Sequence, residues 1–107
     1  MKPGRSYHED LIKDLKKNPL EAEAYLNAAL EDGDERVFLL ALRDVLEAQG
    51  GLTKFSKQTK LNRVSLYKML SKQGNPEWGS IVSLLRALGI RFQITGKRST
   101  RLHRKAA

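Results

Sequence analysis

The sequence predicts an all-α domain of five to six helices followed by one short C-terminal strand. Three observations carry that expectation. Apolar residues recur at helical spacing in successive short blocks, each block is bounded by residues that start or stop helices, and only after Gly89 does the period change to two. A chain of 107 residues has room for one compact domain with a single core, residues 1–96, and a basic, flexible tail, 97–107.

Taken in order, Ser6 can cap a first helix from Tyr7 to Lys17, where Tyr7, Leu11, Ile12 and Leu15 form a narrow apolar stripe. Asn18 is a good N-cap and Pro19 suits the first helical position, so a second helix runs from Pro19 to about Glu31 with Leu20, Ala24 and Ala28 inward and Tyr25 as a further candidate. Gly33 stops it. Asp34 caps a third helix, Glu35 to about Gln49, whose Phe38, Leu39, Leu42, Val45 and Leu46 form the broad face of a central core helix.

Gly50 and Gly51 supply the permissive backbone of a helix stop, and Thr53 can cap a short helix through about Thr59. After a corner at Lys60–Asn62, Asn62 caps a second short helix, Arg63 to Ser71, with Leu66, Met69 and Leu70 inward. A closing helix, 77–88, is expected to bury Trp78, Ile81, Leu84, Leu85 and Leu88 before Gly89 ends it. In residues 90–95, Ile90, Phe92 and Ile94 alternate with Arg91, Gln93 and Thr95, the pattern of a strand with one buried face. A lone strand is unstable, and the other apolar stretches read as helices. The simplest partner is therefore the same strand of a second copy, with Ile90, Phe92 and Ile94 at a homodimer interface.

Charge divides the chain. From Gly51 onward there are thirteen Lys and Arg against the single acid Glu77, a net of +12, whereas residues 1–50 carry seven against eleven, a net of −4. The overall +8 would only favour solubility, but its segregation is what a polyanion-binding face requires. The basic residues are spread over several short elements, unlike a membrane-surface helix, and no apolar run approaches the length of a span or a secretory signal. A cytoplasmic protein without membrane partners is expected. With no cysteine and with His8 and His103 near opposite ends, neither a disulfide nor a zinc site is expected, and no cofactor. The acids fall on amphipathic surface helices and no glycine-rich phosphate cradle occurs, so an enzyme is not expected either.

Residues 52–71, LTKFSKQTKLNRVSLYKMLS, carry the functional signal. Phe55, Leu61, Leu66, Met69 and Leu70 lie at the offsets that let two short helices pack steeply against each other, with the small Ser56 at their closest approach. This segment resembles the helix-turn-helix of the Cro and lambda-repressor type. It departs from that pattern in having Ser56 for the usual alanine and Lys60 for the usual corner glycine, so Lys60 must accept a left-handed or otherwise costly backbone. The resemblance extends through Asn27-Ala28-Ala29-Leu30-Glu31, Phe38 to Val45, Ser65 to Ser71, Gly74-Asn75-Pro76 and Leu85-Arg86-Ala87-Leu88-Gly89 to the probable addiction-module antidote proteins, HigA-type antitoxins. It covers about Tyr7 to Thr95. It implies a small DNA-binding antitoxin, encoded beside a RelE- or ParE-like toxin, that represses its own operon.

In a helix-turn-helix the second helix enters the major groove with its N-terminal residues toward base edges. Here these are Asn62, Arg63, Val64, Tyr67 and Lys68: Arg63 can bond guanine O6 and N7, Asn62 can read adenine, Val64 can touch a thymine methyl. Tyr67 can offer a stacking face or a phosphate-directed hydroxyl, or can equally be a packing residue. Thr53, Lys54, Lys57, Ser65, Lys72 and Asn75 are placed for phosphate contacts that fix register on a palindromic operator. The tail cations Lys97, Arg98, Arg101, Arg104 and Lys105 either track DNA or solubilise the end. The acids of residues 1–50 either complement a basic toxin or stabilise helix N-termini. Two further readings stay open: a regulator without a toxin, and a protein-interaction module without DNA.

Overall fold

A computed structural model describes residues 7–71 and 75–96. The expected cap at Ser6, Lys72 and the basic tail lie outside these residues. The described chain forms six helices: α1 (Tyr7–Lys17), α2 (Pro19–Asp32), α3 (Glu35–Ala48), α4 (Leu52–Thr59), α5 (Arg63–Met69) and α6 (Trp78–Ala87). None is long and apolar enough to cross a membrane.

Local chemistry sets most of the boundaries. Asn18 Oδ1 accepts from the Leu20 amide at 3.1 Å, with Pro19 at the first helical position, and Asp34 Oδ1 accepts from the Arg36 amide at 2.9 Å. Each side chain satisfies one of the amides that a helix start leaves without a partner. Between α3 and α4, Gly50 and Gly51 have φ of 133° and 95°, values that a side chain would resist. They let the Gly51 amide reach back to Leu46 O at 2.8 Å. This arrangement places the N-cap of α4 at Gly51, so Thr53 stands inside the first turn and is not the cap.

One buried cluster draws on all six helices, with Leu15 of α1, Leu26 of α2, Leu39, Leu42, Val45 and Leu46 of α3, Phe55 of α4, Leu66 of α5 and Leu84 of α6 among its members. α3 is the central element, packed by α1, α2 and α4, while α6 closes over α4. Tyr25 on α2 donates its hydroxyl proton to Asp44 Oδ2 on α3 at 2.7 Å. Burial, that hydrogen bond and the Asp44 charge together raise the Tyr25 pKa well above the ordinary tyrosine value. We expect Tyr25→Phe to cost about 1–2 kcal/mol in urea unfolding at neutral pH. Because the folded state keeps this proton while the unfolded chain releases it near pH 10.0, the Tyr25 contribution is complete below that pH and falls above it. A Tyr25→Phe protein with wild-type stability at neutral pH would show that the bridge contributes nothing to the fold.

Several inward assignments are corrected. Leu20, Ala24 and Ala28 are exposed, and α2 instead buries Ala22, Leu26 and Ala29, with Tyr25 half-buried. Both arcs of this helix carry apolar residues, and packing against α3 and α1 selects the one with small alanines flanking Leu26. Tyr7, at the first position of α1, is 82% exposed. Trp78 is 62% exposed: it lies one turn before Ile81, and its ring meets Phe92 edge-on at 5.0 Å and not the core. Finally, residues 90–95 pair with no other described segment and form no strand. Ile90 packs on the core, yet Ile94 is 86% exposed and no backbone hydrogen bond among the described residues is made by 91–95. The alternating pattern is present without a second strand to receive it.

Candidate nucleic-acid interface

The pair α4–α5 is built around a three-residue corner, Lys60–Asn62. Lys60 takes φ 65° and ψ 21°, the left-handed conformation expected for it, and is the one non-glycine with positive φ among the described residues. Side chains close the corner around it. Ser56 Oγ donates to Leu61 O at 2.6 Å, Thr59 Oγ1 donates to Phe55 O at 2.7 Å, and the Leu61 amide donates back to Thr59 Oγ1 at 3.3 Å. Ser56 therefore contributes a bond across the corner as well as small size. A left-handed residue with a Cβ costs about 1–2 kcal/mol, partly offset by the greater unfolded-state freedom of glycine. Lys60→Gly should stabilise the fold by about 0.5–1 kcal/mol in denaturant titration, and a destabilised variant would show that the lysine stem stabilises the corner.

Asn62 Oδ1 accepts from the Ser65 amide at 2.9 Å and starts α5, while Phe55, Leu66, Met69 and Leu70 seat both helices on the core. The remaining residues of α5 face outward. Arg63, Val64, Ser65, Tyr67 and Lys68 are all exposed, and Asn75 is exposed near a groove it shares with Asn62, Ser65 and Lys68. Since its oxygen holds the helix cap, Asn62 as folded offers chiefly its Nδ2 donor to a ligand. Thr53 and Lys57 are exposed on α4. Lys54 is committed differently: its Nζ donates to Gln49 O at 2.9 Å, at the C-terminal end of α3, and lies 5.2 Å from the Phe55 ring centroid.

The charge asymmetry persists in three dimensions. His8 lies 3.8 Å from Asp44 and 3.6 Å from Glu47, and Arg36 pairs with Asp34 at 3.7 Å, all in the acidic half. Among the described residues none of Lys57, Lys60, Arg63 and Lys68 is paired with a carboxylate. His8 thus sits between two acids that are distant in sequence, a proximity that spacing along the chain did not indicate. Arg43 of α3 is a second such residue. Its guanidinium carbon lies 5.2 Å from the Tyr67 ring centroid, and that of Arg63 lies 5.6 Å from the same ring. Nothing in the sequence marks Arg43, since it is a half-buried residue on a core helix and meets Tyr67 only because α4 packs against both α3 and α5.

An outward row of unneutralised cations with hydroxyl, amide and apolar side chains between them can bind a polyanion and discriminate the edges of bases. Comparison with known proteins gives two matches. A family model described as probable addiction module antidote protein matches residues 8–96. A protein of Haemophilus influenzae, described as uncharacterized, is 31% identical over 78 residues, covering 73% of this chain and 79% of its own length. No solved structure matches.

Proposed function

The chain belongs to the probable addiction module antidote protein family, and from that membership we propose an antitoxin that also represses its own operon through α4–α5. In this reading the family's toxin partner is of RelE or ParE type, the protein is HigA-like and cytoplasmic, and it acts by binding and not by catalysis. α4–α5 acts as a lambda-repressor-like helix-turn-helix, with α5 in the major groove. The observation that carries the DNA reading is the outward face of α5, where Arg63 and Lys68 stand exposed with no carboxylate partner among the described residues. Arg63 and Val64 read base edges, Asn62 donates from Nδ2, Lys68 and Tyr67 complete the face, and Thr53, Lys57, Ser65, Lys72 and Asn75 contact phosphate.

A homodimer would supply the missing strand. Antiparallel pairing of residues 90–95 with the same segment of a second copy satisfies their backbone groups, and it covers Ile94 and the exposed Trp78–Phe92 pair. Such a dimer presents two α5 helices about 34 Å apart to successive major grooves. Footprinting on DNA from upstream of the coding region tests this reading. The expected result is protection of two half-sites related by twofold symmetry, with log affinity falling against log salt at a slope of about −2 per half-site for Lys57 and Lys72, steeper by about 0.9 for each further cation that meets phosphate. No protection, or an affinity insensitive to salt, overturns the repressor function and leaves a module that binds only protein.

A further inference from the structure

We infer that Arg43, on α3 and outside the two-helix unit, is an additional phosphate contact to duplex DNA, aimed by the ring of Tyr67. The inference rests on the DNA reading above and adds to it a residue from the acidic half of the chain. Arg43 is half-buried, and among the described residues it has no carboxylate partner: Glu47, one turn along the same helix, faces His8 instead. A guanidinium removed from part of its hydration and left without an anion is a poor source of stability, but it is preorganised for an anionic ligand. Its described neighbour is the Tyr67 face at 5.2 Å, a cation–π distance. Tyr67 in turn has Arg63 at 5.6 Å, so one ring orients two guanidinium groups from different helices.

Arg43 lines a groove with Glu47, Gly50, Gly51, Leu52, Thr53 and Tyr67, where two hydroxyls accompany the guanidinium and the Glu47 carboxylate lies 3.6 Å from His8 Nε2. The Tyr67 hydroxyl makes no hydrogen bond among the described residues, so it is available as a donor. Standing one helix behind α5, Arg43 reaches the backbone that borders the groove and not the base edges within it. It therefore adds affinity without sequence preference, and Tyr67 serves as a positioning residue for it.

The test uses a fluorescein-labelled duplex of about 30 base pairs and arbitrary sequence, titrated by anisotropy with the full chain between about 50 and 200 mM salt. Arg43→Gln keeps a polar side chain at this position of α3 and removes the charge. Its plot of log K against log salt should be shallower by about 0.9, so the wild type loses about 3.5-fold more affinity than the variant across that range. Arg43→Lys should restore the wild-type slope. Tyr67→Leu, which keeps the cation but not its platform, should weaken binding with the slope unchanged. If Arg43→Gln binds with wild-type slope and affinity while the wild type binds DNA, Arg43 is not a contact. A wild-type protein that binds no duplex overturns the DNA reading and this assignment together, and circular dichroism of Arg43→Gln separates either result from unfolding.

Discussion

Leu70→Ala should destabilise the fold by about 2–5 kcal/mol, the range for truncating a buried leucine and leaving a cavity. Leu70 is 0% exposed and follows directly after α5, where its amide donates to Leu66 O at 3.0 Å. α5 has only 7 residues, too few to persist alone, so its orientation depends on Leu66, Met69 and Leu70 being held by the core. Against a typical total of about 5–15 kcal/mol, the loss takes a large fraction of the stability. Urea titration measures it directly. A cost below about 1 kcal/mol would mean that the site collapses without a cavity and that α5 is held by something other than this seat.

Arg63→Ala should leave stability within about 0.5 kcal/mol of wild type, because the residue is exposed and pairs with no carboxylate among the described residues. Its effect falls on DNA. Removing one bidentate bond pair to guanine costs about 1–3 kcal/mol, which is about 5- to 150-fold in operator affinity, and it relaxes preference at one base pair of each half-site. Lys57→Ala provides the contrast: deleting a cation that meets only phosphate should weaken all duplexes alike and flatten the salt dependence by about 0.9. Competition between operator and scrambled duplex separates the two variants. Equal weakening on both duplexes for Arg63→Ala would demote it from base reader to phosphate binder.

The starts and stops of the helices are legible in the sequence because they depend on single residues acting locally. Asn18, Asp34 and Asn62 cap through their own side chains, and Gly33, Gly50, Gly51 and Gly89 hold the positive φ at which helices end. The inward face of α3 is legible in large part: Leu39, Leu42, Val45 and Leu46 are buried as their spacing indicates, while Phe38 is half-buried and Ala41 and Ala48 join the core. The same holds for the burial of Phe55, Leu66, Met69 and Leu70, which seats α4 and α5 on the core, and for Lys60, whose place at the corner called for a left-handed or otherwise costly backbone and which is left-handed.

Where the sequence offered two solutions, only packing could choose. α2 carries apolar residues on both arcs, so the burial of Ala22 and Leu26, with Leu20 left outside, was decided by the neighbouring α1 and α3. Trp78 has the size and spacing of a core residue, yet its place at the first position of α6 leaves it against Phe92 at the surface. The approach of Arg43 to Tyr67 and of His8 to Asp44 and Glu47 joins residues far apart in the chain, which no local period records. By itself the sequence determined the helices, the caps at Asn18, Asp34 and Asn62 and a cationic two-helix unit, because backbone conformation, capping and charge are properties of neighbouring residues. The tertiary structure alone decided which arc of α2 is buried and which side chains gather around Tyr67, because those outcomes depend on surfaces that exist only once distant helices have met.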